Sequence, residues 1–138
     1  GFGRSDAGRA DRRFTMILVI GGAGQGKLAA ALRNTGYTEA DVTTTPGADR
    51  PVLNGMADAV RAALAAGEAQ EQTVAKLLRH AVVICDEVGC GVVPMEQFER
   101  EWRENVGRIC CVIAEKSDVV VRVFCGIPMV LKGEAQWK

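Results

Sequence analysis

The residues with the plainest chemical capacity are Gly21, Gly22, Ala23, Gly24, Gln25, Gly26 and Lys27, which follow directly on the apolar run Met16–Ile20. Gly21, four residues, Gly26 and Lys27 is the spacing of a phosphate-binding loop that opens a helix. Glycines let the backbone curl until several N–H groups converge on one centre, and the helix N-terminus adds partial positive charge there. Lys27 then reaches the β- and γ-phosphates of a nucleoside triphosphate such as GTP or ATP. Leu28 stands where such a loop carries a Mg²⁺-binding hydroxyl, so the phosphate cradle survives and one metal ligand does not. A dinucleotide fingerprint fits less well, because Gly22, Gly24 and Gly26 are spaced G-x-G-x-G rather than G-x-G-x-x-G. The plain alternative is a glycine-rich strand-to-helix turn with a surface lysine.

A second group is Asp86-Glu87, placed where the apolar run Ala81–Cys85 ends. Ligands in open α/β sheets bind at the carboxyl ends of the strands. One acid there holds Mg²⁺ through water, and either Asp86 or Glu87 fits that part or accepts a hydroxyl proton. The competing reading is that Asp86 only begins a turn. In the following loop, Val88–Val93, Gly89 and Gly91 let backbone pass close to a ligand, and with Val92 they line the acceptor side. The only histidine, His80, precedes a strand and reads as a helix-end residue near C-terminal carbonyls. Arg108 is a weak candidate for contacting a substrate or a neighbouring subunit.

These groups need a sheet and helices to hold them. Met16–Ile20 and Ala81–Cys85 read as strands buried on both faces of a parallel sheet. Asp118–Cys125 is a third strand with one partly exposed face, and Ile127–Leu131 a final antiparallel edge strand. Lys27–Arg33 is a helix closed by Asn34 and Gly36. Leu53–Ala66 reads as a helix with Met56, Val60 and Leu64 on one face, followed by a helix over Gln70–Arg79, the two forming a hairpin or one broken helix. Asp41–Thr45 is at most a short strand, stopped by Pro46-Gly47. In Met95–Glu115, Phe98, Trp102, Val106, Ile109 and Ile113 recur at helical spacing, while Glu96/Arg100, Glu99/Arg103 and Glu104/Arg108 form i,i+4 pairs on the solvated face. The expected architecture is a single α/β domain, residues 16–138, preceded by a disordered or non-native leader over residues 1–15.

Composition excludes several classes. Apolar residues at 48% and charged ones at 25% describe a globular chain. Lys+Arg and Asp+Glu both number 17, which argues against nucleic-acid binding by bulk charge. No apolar run approaches membrane-spanning length, and the expected location is cytoplasmic. Five cysteines without a C-x-x-C or partner histidines read as reduced core thiols.

Three stretches together resemble the bifunctional adenosylcobinamide kinase/adenosylcobinamide-phosphate guanylyltransferase family of cobalamin biosynthesis. They are MILVIGGAGQGK at Met16–Lys27, DEVGCGVVP at Asp86–Pro94, and the order GR, helix, SDVVVRVFCGI, short strand over Gly107–Lys132. The resemblance implies a RecA-like P-loop fold and a homo-oligomer, typically a trimer. It implies phosphorylation of the adenosylcobinamide hydroxyl by a nucleoside triphosphate, with Mg²⁺, followed by guanylyl transfer from GTP through a histidine. The family's histidine-bearing middle part is shortened here, and the nucleophile role does not pass to His80. Two functions remain open: an enzyme of this type, with one or both activities, or a degenerate P-loop module that binds GTP or a corrinoid without turnover. An unrelated small-molecule kinase would need a lid and an arginine set that the sequence does not offer.

Overall fold

The computed structural model describes residues 15–88 and 96–138. The expected leader and the expected acceptor loop at Gly89, Gly91 and Val92 lie outside the described residues. The frame is one α/β sheet flanked by helices. Its six strands are β1 (Ile17–Gly21), β2 (Val42–Thr43), β3 (Val52–Asn54), β4 (Val82–Asp86), β5 (Val119–Phe124) and β6 (Ile127–Lys132), in the order β2-β3-β4-β1-β5-β6. All pair in parallel except β5 with β6, which form an antiparallel edge hairpin. The glycine loop thus leaves the middle of the sheet, with β4 on one side of it and β5 on the other.

Alternation along the strands decides which helix each residue meets. In β1, Ile17 and Val19 face one layer, while Leu18 faces the other together with Met16, just before the strand. In β4, Val82 and Ile84 join the first layer, and Val83 and Cys85 the second. The first layer is covered by α1 (Lys27–Thr35), whose Ala30 and Ala31 are buried and whose Leu28 and Leu32 are partly so. The second is covered by α2 (Met56–Ala65), α3 (Gln70–Leu77) and α4 (Gln97–Lys116). Trp102, Val106, Ile109 and Ile113 of α4 form the expected buried stripe, and the Trp102 indole N–H donates to the Ala57 carbonyl at 2.8 Å. Helices α2 and α3 are separate, and each packs against α4.

Three expectations are corrected. Leu53 does not begin a helix: Val52–Asn54 is a buried strand between β2 and β4. Leu53, Met56, Val60 and Leu64 share a helical spacing, which hides the break at Gly55, whose φ of 85° is left-handed. The possible strand at Asp41–Thr45 shrinks to Val42–Thr43, since Glu39–Asp41 is a turn of 3₁₀ helix closed by Thr38 and Asp41. The cysteines are not uniformly core residues. Cys85 is buried and Cys110 half-buried, but Cys111 and Cys125 are exposed, because the amphipathic helix and the turn after β5 turn them outward. Among the expected i,i+4 pairs, Glu104 and Arg108 approach at 4.0 Å, whereas Glu99 pairs with Arg61 of α2 at 2.7 Å. Among the described residues, no helix is long and apolar enough to cross a membrane.

Candidate functional site

The chain leaves β1 at Gly21 and enters α1 at Lys27 through five residues. Gly21 admits no side chain, because a Cβ there would lie 2.5 Å from the Val123 carbonyl oxygen of β5. Gly26 precedes the helix at φ 88°, a left-handed conformation that turns the chain into α1. No side chain caps α1, and its first turn holds no acid. Its leading amides therefore keep their capacity to bind an anion. The loop is pinned from β5's side: the Cys125 N–H donates to Gln25 Oε1 at 2.6 Å, and the Gly126 N–H to the Gln25 carbonyl at 2.8 Å. Gly126, in the turn between β5 and β6, thus braces the glycine loop, a contact that depends on β5 lying beside β1.

Lys27 is buried beneath the loop. Its Nζ donates to the Gly22 carbonyl at 2.7 Å and pairs with Asp86 Oδ1 at 2.6 Å. This pairing follows from register, since Gly21 stands opposite Asp86 in the parallel β1–β4 ladder. The Glu87 N–H donates to the Gly21 carbonyl at 2.9 Å, extending that ladder by one residue. Neighbouring residues on an extended chain point to opposite faces, so the two acids part company. Asp86 turns toward Lys27. Glu87 turns toward the face covered by α4 and receives two hydrogen bonds from Arg122 of β5, at 2.9 and 3.1 Å. The pair reaches across β1 and is half-exposed, where ion pairs contribute about 0–1 kcal/mol. Its effect is to fix the direction of the Glu87 carboxylate more than to stabilise the fold. Nothing in the local sequence marked Arg122, which reads there as the polar member of an alternating strand.

A cleft of about 470 Å³ opens on the Glu87 side, lined among others by Ile20, Gly22, Asp86, Glu87, Val106 and Cys110. The cleft borders the glycine loop at Gly22, and Asp86, the partner of Lys27, also stands in its wall. Among the described residues, no cluster of three or more His, Cys, Asp or Glu side chains is arranged to hold a metal ion. Asp86 fits a single contact of the kind Mg²⁺ uses when phosphates and waters supply the rest. Glu87, with both oxygens on Arg122, offers less. Leu28 packs partly buried against the α1-side core and offers no oxygen.

His80 lies elsewhere. It is fully buried before β4, at the opposite end of that strand from Asp86. Its Nε2 accepts from the Gly47 N–H at 2.9 Å and its Nδ1 meets the Arg50 carbonyl at 2.7 Å. That geometry places the proton on Nδ1 and leaves the ring neutral. Burial lowers its pKa below the ordinary 6.5, the bond to Arg50 opposing the shift and the charge on Arg79 adding to it. His80 therefore ties down the loop between β2 and β3, which lies away from the glycine loop. Arg108 is exposed on α4, beside Asn105 and Glu104.

A sequence model of the cobinamide kinase / cobinamide phosphate guanyltransferase family matches residues 52–131, more than half of the chain. The chain belongs to this family. The cobinamide kinase match runs from β3 to β6 and so contains Asp86, Glu87 and Arg122, whereas the glycine loop lies before it. Over 67 residues the chain is 33% identical to the bifunctional adenosylcobalamin biosynthesis protein CobP of Pseudomonas aeruginosa. That alignment takes in 49% of this chain and 39% of the relative. This family member thus spans well under two thirds of the curated relative it matches.

Proposed function

We propose that the protein catalyses nucleotide-dependent phosphoryl transfer, guanylyl transfer or both to adenosylcobinamide or a related corrinoid. The observation that carries this is the 2.6 Å pair of Lys27 and Asp86, which joins a phosphate-type loop to a strand-end acid. Phosphoryl transfer asks the protein chiefly for positioning and charge neutralisation. In this reading the amides of Gly22–Leu28 and the Lys27 ammonium hold the phosphates of GTP or ATP. Asp86 would hold a Mg²⁺ ion, which would supply charge neutralisation. In phosphoryl transfer Glu87, directed by Arg122, receives the acceptor hydroxyl's hydrogen bond and takes its proton as the oxygen bonds to the γ-phosphorus, while the bond from that phosphorus to the β–γ bridging oxygen breaks and the nucleoside diphosphate leaves. Gly89, Gly91 and Val92 complete the acceptor side. The protein works in the cytoplasm as a homo-oligomer, a trimer on the family resemblance. Exposed Phe124, Ile127, Met129 and Leu131 on the edge hairpin support an association surface.

Leu28 at the hydroxyl position and the remote, structural His80 favour a second reading, a module that binds GTP or a corrinoid without turnover. One assay separates the two. Purified protein is incubated with GTP, Mg²⁺ and adenosylcobinamide, and the corrinoids are resolved by chromatography. A phosphorylated or GDP-linked corrinoid supports the enzyme. Tight GTP binding with no product at stoichiometric protein supports the module.

A further inference from the structure

The cleft wall suits a hydroxyl acceptor and opposes a phosphorylated one. Asp86 and Glu87 stand in it, and among its described lining residues there is no lysine, arginine or histidine. A phosphate monoester brings a charge of about −1.5 to −2 at neutral pH, and like charges at close range repel. Lys27 is committed to Asp86 and the glycine loop. The cation on Glu87 is Arg122. It stands opposite Ile20 in the parallel β1–β5 register, and Ile20 lines the cleft. Residues paired across two strands point to the same face, and Val120, two residues earlier, packs in the core beneath α4. Arg122 therefore lies on the cleft's side of the sheet, near the carboxyl end of β5, with its side chain 48% exposed. A guanidinium has five N–H donors; one on Nε and one on Nη2 go to Glu87 at 2.9 and 3.1 Å, which leaves three. Among the described residues no other acceptor takes them. Two of the three lie side by side at the end formed by Nη1 and Nη2, the fork that matches two oxygens of one phosphate.

We propose that Arg122 is a specificity-determining residue, whose remaining N–H groups bind the phosphate monoester of a phosphorylated acceptor while Glu87 serves the free hydroxyl of an unphosphorylated one. This rests on the proposed function, in which the cleft takes a corrinoid either with its hydroxyl free or already phosphorylated. One ion pair then meets both acceptors. Glu87 offers a lone pair to the hydroxyl, and the guanidinium offers charge and paired donors to the phosphate that Asp86 and Glu87 repel. A half-exposed ion pair adds little to stability, so the fold alone gives no reason for an arginine here. Lysine at this position carries a point charge and no fork, and so cannot hold a carboxylate and a phosphate in fixed directions together. The alternative is an arginine that only directs Glu87. That arginine leaves the binding of the two acceptors equally affected by its loss, whereas a phosphate-binding arginine matters to the phosphorylated acceptor alone.

The test titrates adenosylcobinamide and adenosylcobinamide phosphate separately into the full chain, as wild type, Arg122→Gln and Arg122→Lys, by calorimetry. Wild type is expected to bind the phosphorylated corrinoid more tightly. In Arg122→Gln that affinity falls roughly 10- to 150-fold, the loss of a charge-assisted contact. Affinity for the unphosphorylated corrinoid stays within about twofold, and melting temperatures stay near that of the wild type, because an exposed pair contributes little. Arg122→Lys recovers part of the lost affinity and not all of it. Equal losses for the two corrinoids, or none for the phosphorylated one, overturn the proposal. A second probe, isopropyl phosphate, is titrated into the same three proteins and followed by its phosphorus resonance, which reads the contact without a corrin ring. Wild type that binds neither corrinoid counts against the proposed function, and the second probe then decides Arg122. Weaker isopropyl phosphate binding in Arg122→Gln than in wild type upholds the anion site; equal binding in the two overturns it.

Discussion

Replacing His80 separates a structural histidine from a catalytic one. In His80→Ala, the Gly47 N–H and the Arg50 carbonyl lose partners at 2.9 and 2.7 Å, and a fully buried ring leaves a void. Each hydrogen bond contributes about 1 kcal/mol net. Lost burial of the imidazole adds about 1 kcal/mol, on the scale of removing a small part of a packed core side chain. The loop between β2 and β3 can rehydrate its freed groups, which keeps the total near 2–3 kcal/mol. For a domain of this size that lowers Tm by roughly 6–12 °C. The pH dependence carries a further sign. Because the folded pKa is depressed, the unfolded state takes up a proton first as pH falls below the ordinary 6.5. Wild-type stability is therefore complete above that pH and declines as pH drops through it, levelling off below the folded pKa. Denaturant melts of wild type and His80→Ala between pH 8 and pH 5 read both effects: the variant is less stable at pH 8 and its curve is flatter. Corrinoid product formation per folded molecule stays within about twofold, a difference under 0.5 kcal/mol in the barrier. A variant that melts like the wild type, or that stays folded and loses all guanylyl transfer, would refute the structural role.

Other outcomes follow from single contacts. Gly21→Ala forces a Cβ to within 2.5 Å of the Val123 carbonyl, so β5 must shift; the expected cost is about 1–3 kcal/mol, with weakened GTP binding, read by thermal melts and nucleotide titration. Trp102→Phe removes the bond to Ala57 and weakens the stacking of Arg61, which lies 4.1 Å over the indole, and should cost about 1–2 kcal/mol in a urea melt without changing nucleotide affinity. Phe124→Ser with Leu131→Ser removes two of the four large exposed apolar groups of the edge hairpin, and light scattering after gel filtration should show a smaller assembly than the wild type.

Much of the frame was legible because its signals are local. The apolar run into Gly21, the run into Asp86 and the stripe from Trp102 to Ile113 each reveal an element without reference to any other. Strand β3 was not legible, since three residues between Pro51 and Gly55 are too few to show a period and their leucine falls in step with the next helix. The site was half legible for the same reason. Gly21–Lys27 and the two acids announce themselves, but their meeting depends on β4 lying directly beside β1, which strand order alone determines. Arg122 and Gly126 reach the site only from the strand on the other side. The different directions of Asp86 and Glu87 were implicit in the two-residue repeat of an extended chain, yet Arg122 is what gives the Glu87 direction a consequence.

The central claim is that the curl of amides beside Lys27 grips a triphosphate, and calorimetric titration of GTP into wild type and Lys27→Met tests it most directly. Methionine retains the buried stem, and Asp86 is half-exposed, so the fold should survive the exchange. Loss of a charge-assisted contact worth about 1.5–3 kcal/mol predicts affinity lower by roughly 10- to 150-fold at an unchanged Tm. Equal GTP affinity in the two proteins would contradict the account.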